Sequence, residues 1–279
     1  MAAEACFAIS GGVSKHLTGA LPPLQIAWIR FVVFAAVVMG VIVWRRDWSA
    51  LKSQCLGMQV VRCLGIVGAT IFFILSLKRL PLAETSALFF VSPLLIVLAA
   101  RIALNEAMNT ARYIAVGAGF AGALLVIQPG SHGLGLDALL PLLAAVSWAA
   151  AIIATRWTGS RERPLTGVLY AALVGLAVTT AFLPIAWEPL NTPQLIFGVA
   201  TGVAAAAGQW FIVLAYQRAS ASSLAPLNYV QLIWSALVGY VFFASVPDNW
   251  AIVGAVVIVL SGFFAIREGK SFTDIDRRK

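Results

Sequence analysis

The chain is 279 residues long, with 61% hydrophobic and 11% charged residues and a mean hydropathy of +0.93. Soluble domains carry about 25% charge, so a soluble core is excluded, and apolar residues running almost end to end leave no polar linker between independent units. The net charge of +8 is held in short Lys and Arg clusters between apolar runs, a pattern that orients a membrane protein and argues against nucleic acid as a partner.

A hydrocarbon core about 30 Å thick takes roughly 17–25 apolar residues per spanning helix, since every backbone amide must be bonded within its own segment. Ten such segments are predicted, at 2–17, 24–44, 58–77, 82–103, 111–128, 136–157, 165–186, 194–216, 221–243 and 249–267. The breaks carry Pro, Gly, Asn or charge, among them Pro22-Pro23, Arg45-Arg46-Asp47, Leu80-Pro81, Gln128-Pro129-Gly130, Trp187-Glu188-Pro189 and Pro247-Asp248-Asn249. No basic run precedes the first segment, so it is read as a retained helix and not a cleaved signal. Cys6, Cys55 and Cys63 have neither metal-ligand nor CxxC spacing and read as small apolar fillers.

With the N-terminus in the cytoplasm, ten helices put Arg45, Arg46, Lys52, Arg101, Arg112, Arg156, Arg161, Arg163 and Arg218 inside. The basic tail joins them, with Arg267, Lys270, Arg277, Arg278 and Lys279, whereas only Lys15, Lys78 and Arg79 fall outside. That asymmetry predicts both termini to be cytoplasmic.

Self-comparison sets Leu77–Phe90 against Tyr216–Tyr229, with Arg79 over Arg218, and Tyr113–Gly117 against Trp250–Gly254. In the first pair a helix ends on a basic residue and a very short turn leads into a helix that starts with small residues, then aromatics. Five helices per half is an odd number, so the second half enters the membrane from the opposite face, as in secondary transporters. The expected fold is an all-α integral membrane protein of ten transmembrane helices in two inverted-topology five-helix repeats. These are residues 1–130 and 131–267, followed by a basic cytoplasmic tail at 268–279, together one membrane domain.

Enzymatic signatures are missing. His16 and His132 are the only histidines, no HExxH, GxSxG or P-loop occurs, and Gly117–Gly122, formally GxGxxG, lies inside a span. There it reads as a packing surface, like Gly198–Gly202 and the alanines before Gly208. No cofactor and no metal site are expected.

Four stretches carry a family resemblance: Arg30 in Ile26–Phe31, the run Ala87–Leu95, Glu106 after it, and Gly208–Ala219. In that order, across nearly the whole chain, they resemble the drug/metabolite transporter superfamily and, within it, its ten-helix EamA-type exporters. The second half departs from the pattern, with Ser245-Val-Pro-Asp248 where a counterpart of Glu106 is expected. The resemblance implies export of a small organic solute such as an amino acid or metabolite across a bacterial inner membrane. Partners are then that solute and membrane lipid, with a homodimer allowed.

A solute path needs polar or aromatic groups at mid-depth. Phe72, Phe73, Phe89 and Phe90 in the first half, and Gln209, Trp210, Asn228, Tyr229 and Gln231 in the second, are the candidate substrate-binding residues, with Lys15 beside them and Trp148 and Ser10 closing the cavity. Helix-to-helix hydrogen bonding is the alternative for the amides, and lipid contact or packing for the aromatics. Lys15 is divided between snorkelling and meeting a solute carboxylate. Arg30 is expected to pair with Glu84 or to cap a neighbouring helix, and Arg62 to snorkel to the cytoplasmic surface. Glu84 and Glu4 are the candidate coupling residues, and Pro93 and Pro226 the candidate hinges.

Overall fold

The computed structural model describes residues 2–104, 110–127, 135–158, 162–218, 230–244 and 249–276, and among them there is no β-strand. The helices are α1 (Ala2–Leu17), α2 (Pro23–Arg45), α3 (Leu56–Arg79), α4 (Leu82–Phe89), α5 (Ser92–Leu104), α6 (Thr110–Ile127), α7 (Leu139–Thr158), α8 (Pro164–Phe182), α9 (Thr192–Arg218), α10 (Val230–Phe243) and α11 (Asn249–Asp276). Residues 82–103 form one membrane-length span interrupted once, so the chain is a ten-helix multi-pass membrane protein. The last helix runs on through Asp276, well past the expected boundary at 267.

Local chemistry sets the ends. Pro23 and Pro164 open α2 and α8, where a missing amide N–H costs nothing. At the other end of α2, Arg46 turns into the left-handed region at φ 53°. Its amide bonds Val43 O and the next amide, of Asp47, bonds Ile42 O at 3.1 Å, which closes the helix in the manner usually left to glycine. That turn throws the chain into a single 3₁₀ turn, Trp48–Leu51.

The helix pairs with the largest contacts join one half to the other: α6 with α11, α3 with α7, α1 with α9, and α2 with α8 and α9. Exchange the halves, α1 for α7, α2 for α8, α3 for α9, α4–α5 for α10 and α6 for α11, and this pattern maps onto itself. The α3–α7 pair becomes α9–α1, α2–α9 becomes α8–α3, and α2–α8 and α6–α11 return to themselves, as an inverted repeat about one axis requires. The α2–α8 pair, with Phe31, Phe34, Val168 and Leu169, builds one apolar core. The α6–α11 pair, with Val126 and Ile258, builds another against α4.

Lipid is as apolar as leucine, so helices associate through close packing and hydrogen bonds between them. Small residues supply both. A Cβ placed on Gly65 of α3 would stand 2.7 Å from the Ser147 carbonyl and 2.9 Å from the Ala151 Cβ of α7. One placed on Gly254 would stand 2.5 Å from the Gly122 carbonyl, and the reverse contact is 2.9 Å. Between α1 and α9, the hydroxyls of Ser10 and Ser14 each lie 2.9 Å from that of Thr201, and Ser10 also reaches the Thr201 carbonyl at 3.0 Å.

Gly254→Val should therefore push α11 from α6 and cost about 1–3 kcal/mol of overpacking, seen as a lower melting temperature in detergent. Gly117→Ala, where a Cβ meets nothing within 4 Å, should leave the melting temperature unchanged or higher.

Candidate functional site

Aromatic side chains from both halves meet between α3, α4 and α7. The Phe73 and Phe89 rings stand edge to face at 5.4 Å, and Trp148 lies 6.4 Å from Phe89. Phe89 is the last residue of α4. A turn at Phe90 and Val91 follows, held by Phe90 N–H on Ser86 O at 3.0 Å and Leu94 N–H on Val91 O at 3.0 Å. Pro93 then falls in the first turn of α5 and not in a helix interior, so the span is broken in two instead of being kinked. Because Pro93 has no N–H, the Phe89 carbonyl loses its helical donor. The Phe90 ring also stands edge to face with Phe89 at 6.0 Å and packs into the core with Leu88, Val91, Ala123 and Ile258, and Phe72 is partly buried on α3 beside Gly68.

The helix that carries Phe89 and its neighbours also hold polar groups that find no hydrogen-bond partner among the described residues. The hydroxyls of Thr85 and Ser86 on α4 and of Ser235 on α10, which packs on α4, are buried and unbonded. A desolvated polar group left so costs about 1–3 kcal/mol. The sequence reading passed over all three; the Thr85-Ser86 pair at the start of a span was the signal available. The amides of Gln209 and Gln231 are partly buried, and neither makes a hydrogen bond among the described residues. Asn228, Tyr229, Pro226 and Glu106 lie outside the described residues, as does the end of the second repeat copy. Trp210 sits apart from the cluster, with the Arg45 guanidinium 5.7 Å above its ring at the end of α2. Ser10 is fully buried and spends its hydroxyl on Thr201.

The charged groups are arranged differently from the expectation. Lys15, not Arg30, caps a helix, its ammonium donating to the carbonyls of Leu77 at 2.5 Å and Leu80 at 2.8 Å at the end of α3, with Glu84 close enough to attract it. Arg62 is tied down instead of snorkelling freely: its Nε donates to Thr155 Oγ1 at 2.9 Å, and its guanidinium lies against Gly167 of α8. Glu4 is buried in the first turn of α1, on one stripe with Ala8, Gly11 and Lys15, and makes no hydrogen bond among the described residues.

Loops close both ends. On the face of the α2–α3 loop, Arg163 forks onto Asp47 at 2.8 and 2.7 Å and also bonds Ser49. The Arg163 fork, with a bond donated by Ser49 Oγ to Asp47 Oδ1 at 2.5 Å, holds the Asp47 carboxyl down at about 2, from an ordinary 3.8. Next to it, Glu162 Oε1 accepts from Ser53 Oγ at 2.5 Å and from the amides of Gln54 and Cys55 at 2.6 and 2.8 Å, just ahead of α3. Partial burial pulls that carboxyl up, but these bonds and one from Gln59 outweigh it and leave it below its usual range. On the opposite face the Gln25 amide exchanges two bonds with the Glu188 backbone, at 2.7 and 3.0 Å. Trp28 there donates to Thr180 at 2.9 Å, and Arg79 stands 3.6 Å from Asp137. All these ties except Trp28–Thr180 engage at least one loop segment, and every one crosses between halves.

Residues 1–128 and 136–267 each match the model of the EamA-like transporter family. The chain is 33% identical over 201 residues to a riboflavin transporter of Rhizobium johnstonii, a match covering 70% of this chain and 65% of that protein, just under two thirds of its length. It is 28% identical over 262 residues to a pseudopaline exporter of Pseudomonas aeruginosa, covering 91% of this chain and 90% of that one. A solved crystal structure superimposes with a TM-score of 0.67 at 22% identity over 97% of each chain, a likeness of fold.

The Asp47 pair gives a pH signature. A carboxyl whose folded value is depressed contributes stability that is complete above its unfolded value and fades as pH falls through the folded one. The difference in melting temperature between the wild type and Asp47→Asn should hold constant above pH about 4 and close toward pH about 2. Arg163→Ala should follow the same curve, and the two substitutions together should cost less than their sum.

Proposed function

We propose that this chain, which belongs to the EamA-like transporter family and so is a membrane transporter of a small solute, exports amino acids or related metabolites by alternating access. The observation that carries this reading is the cluster of Phe73, Phe89 and Trp148, built from both halves at the break between α4 and α5. An aromatic wall beside unbonded hydroxyls and amides suits an amphipathic organic solute, whereas a bare ion needs rings of carboxylates or carbonyls. Relatives named for riboflavin and for pseudopaline fit that chemistry.

The membrane is the bacterial inner membrane, with both termini and the Asp47–Arg163 face in the cytoplasm, since the basic residues gather there. Each half is one repeat, divided near residue 130. The α4–α5 break with Pro93 is the hinge of the first half, and Pro226 its counterpart in the second. Buried hydroxyls without partners in one arrangement gain water or solute in the other, which lowers the cost of switching. Glu84 or Glu4 carries the coupled proton.

Counterflow in proteoliposomes tests this reading: vesicles loaded with unlabelled amino acids, nucleosides or organic cations take up the labelled counterpart. Saturable exchange of one class is expected. Phe89→Ala and Trp148→Ala should lower it at least about tenfold with expression unchanged, and Gln209→Ala by a smaller factor. If a pH gradient drives uptake, Glu84→Gln or Glu4→Gln should abolish the drive and leave exchange intact. Conductance without saturation would make the protein a channel. A sealed interior with no exchange by folded protein would make it a scaffold.

A further inference from the structure

Arg30 is an embedded cation without an acceptor among the described residues. Its guanidinium makes no hydrogen bond and no ion pair among the described residues. The other embedded cations are satisfied, Lys15 by two carbonyls and Arg62 by Thr155 and Gln59.

Helix geometry gives its direction. At about 100° per residue, the flanking Ile29 and Phe31 point to opposite sides, Ile29 onto Gly198 of α9 and Phe31 onto Gly175 of α8. Arg30 therefore projects between α8 and α9. One turn away on its own side, Ile26, Ala27 and Phe34 are all buried, so it faces the bundle interior and not lipid. There Ile26 and Ala27 pack with Ile74 of α3, the residue after Phe73. Counting from Pro23, Arg30 lies about 10 Å along α2. It is partly accessible, so it borders interior space.

A guanidinium cannot discard its proton, and its planar fork matches a carboxylate in two parallel bonds. A lysine would serve a point charge, and a structural arginine would have its acceptor in the fold. We propose that Arg30 is the anion anchor of the transport site, taking the solute's carboxylate in a two-bond fork while Phe73, Phe89 and Trp148 receive its apolar body. This rests on the reading of the chain as a carrier of amphipathic organic solutes, and it adds that the solute is a carboxylate.

The test pairs each acid with its neutral amide: L-leucine, L-phenylalanine and L-tryptophan against the three carboxamides, scored by thermal stabilisation of the full chain in neutral detergent. Wild type should bind acids at least about tenfold more tightly than amides. Arg30→Gln should lose that preference while its amide affinity stays the same, and Arg30→Lys should keep part of it. Equal affinity of acid and amide in wild type overturns the anchor whether or not any variant folds, as does an unchanged preference in Arg30→Gln. If no amino acid or amide binds, succinate, benzoate and citrate follow. Stabilisation by these that depends on Arg30 keeps the anchor and discards the amino-acid reading. Its absence for every carboxylate discards the anchor too, as does Arg30-dependent stabilisation by phosphatidylglycerol over phosphatidylcholine vesicles, which would make a lipid phosphate the occupant.

Discussion

In a membrane the helices gain nothing by hiding apolar surface from one another, so everything here depends on how closely backbones approach where the halves meet. Gly65 sets that distance between α3 and α7, with the Ser147 carbonyl in the place a side chain would fill. The residue after Ser147 is Trp148, and the ring that reaches Phe89 is therefore positioned by the absence of a methyl group across the interface. Gly122 and Gly254 do the same for α6 and α11, which carry the core on which α4 rests with Leu88, Phe90 and Val91. The aromatic cluster is a product of this spacing. Its members stand on three helices, and a small displacement of one helix would part the rings.

Much of the fold was legible in the sequence because it follows from length and polarity. Spans announce themselves by apolar runs, and prolines and charges end them. The packing role read into Gly117–Gly122 held only at some of its glycines: Gly122 meets Gly254 and Gly119 meets Leu94, while a Cβ on Gly117 would meet nothing. Gly198 and Gly202 do receive a neighbour, Ile29 and Val33 of α2. What sequence could not supply was the identity of partners. A helix that is apolar all round has no polar face to set its rotation, so nothing in the pattern told that Lys15 reaches the end of α3 and Arg30 does not. The same flatness hid Thr85, Ser86 and Ser235, whose interest lies in having no partner, a property visible only once the neighbours are placed.

Charge is distributed by what surrounds it. At the loop face, where water is near, Asp47, Glu162 and Arg163 bond freely and join the α2–α3 loop to the segment before α8. Ionic links there are cheap to make and break. Within the spans each charge is expensive, and the structure meets the cost differently at the two cations it satisfies: carbonyls for Lys15, hydroxyl and amide oxygens for Arg62. Arg46 shows the same economy in the backbone. It accepts a left-handed conformation that disfavours it by about 1–2 kcal/mol, and in return the next residue, Asp47, is turned toward Arg163.

The intertwining of the halves bears on how the protein is made. Translation delivers α1 to α6 first, yet the surfaces those helices are shaped to cover, Ser147 and Ala151 opposite Gly65 and Gly254 opposite Gly122 among them, belong to helices still to be synthesised. The first half must wait in the bilayer with its best contacts unmade, and lipid alone fills the grooves at its glycines. Assembly is therefore a late, concerted event that follows insertion of the last helix, and a nascent chain stalled after residue 130 would be an inserted but unassembled substrate for membrane quality control.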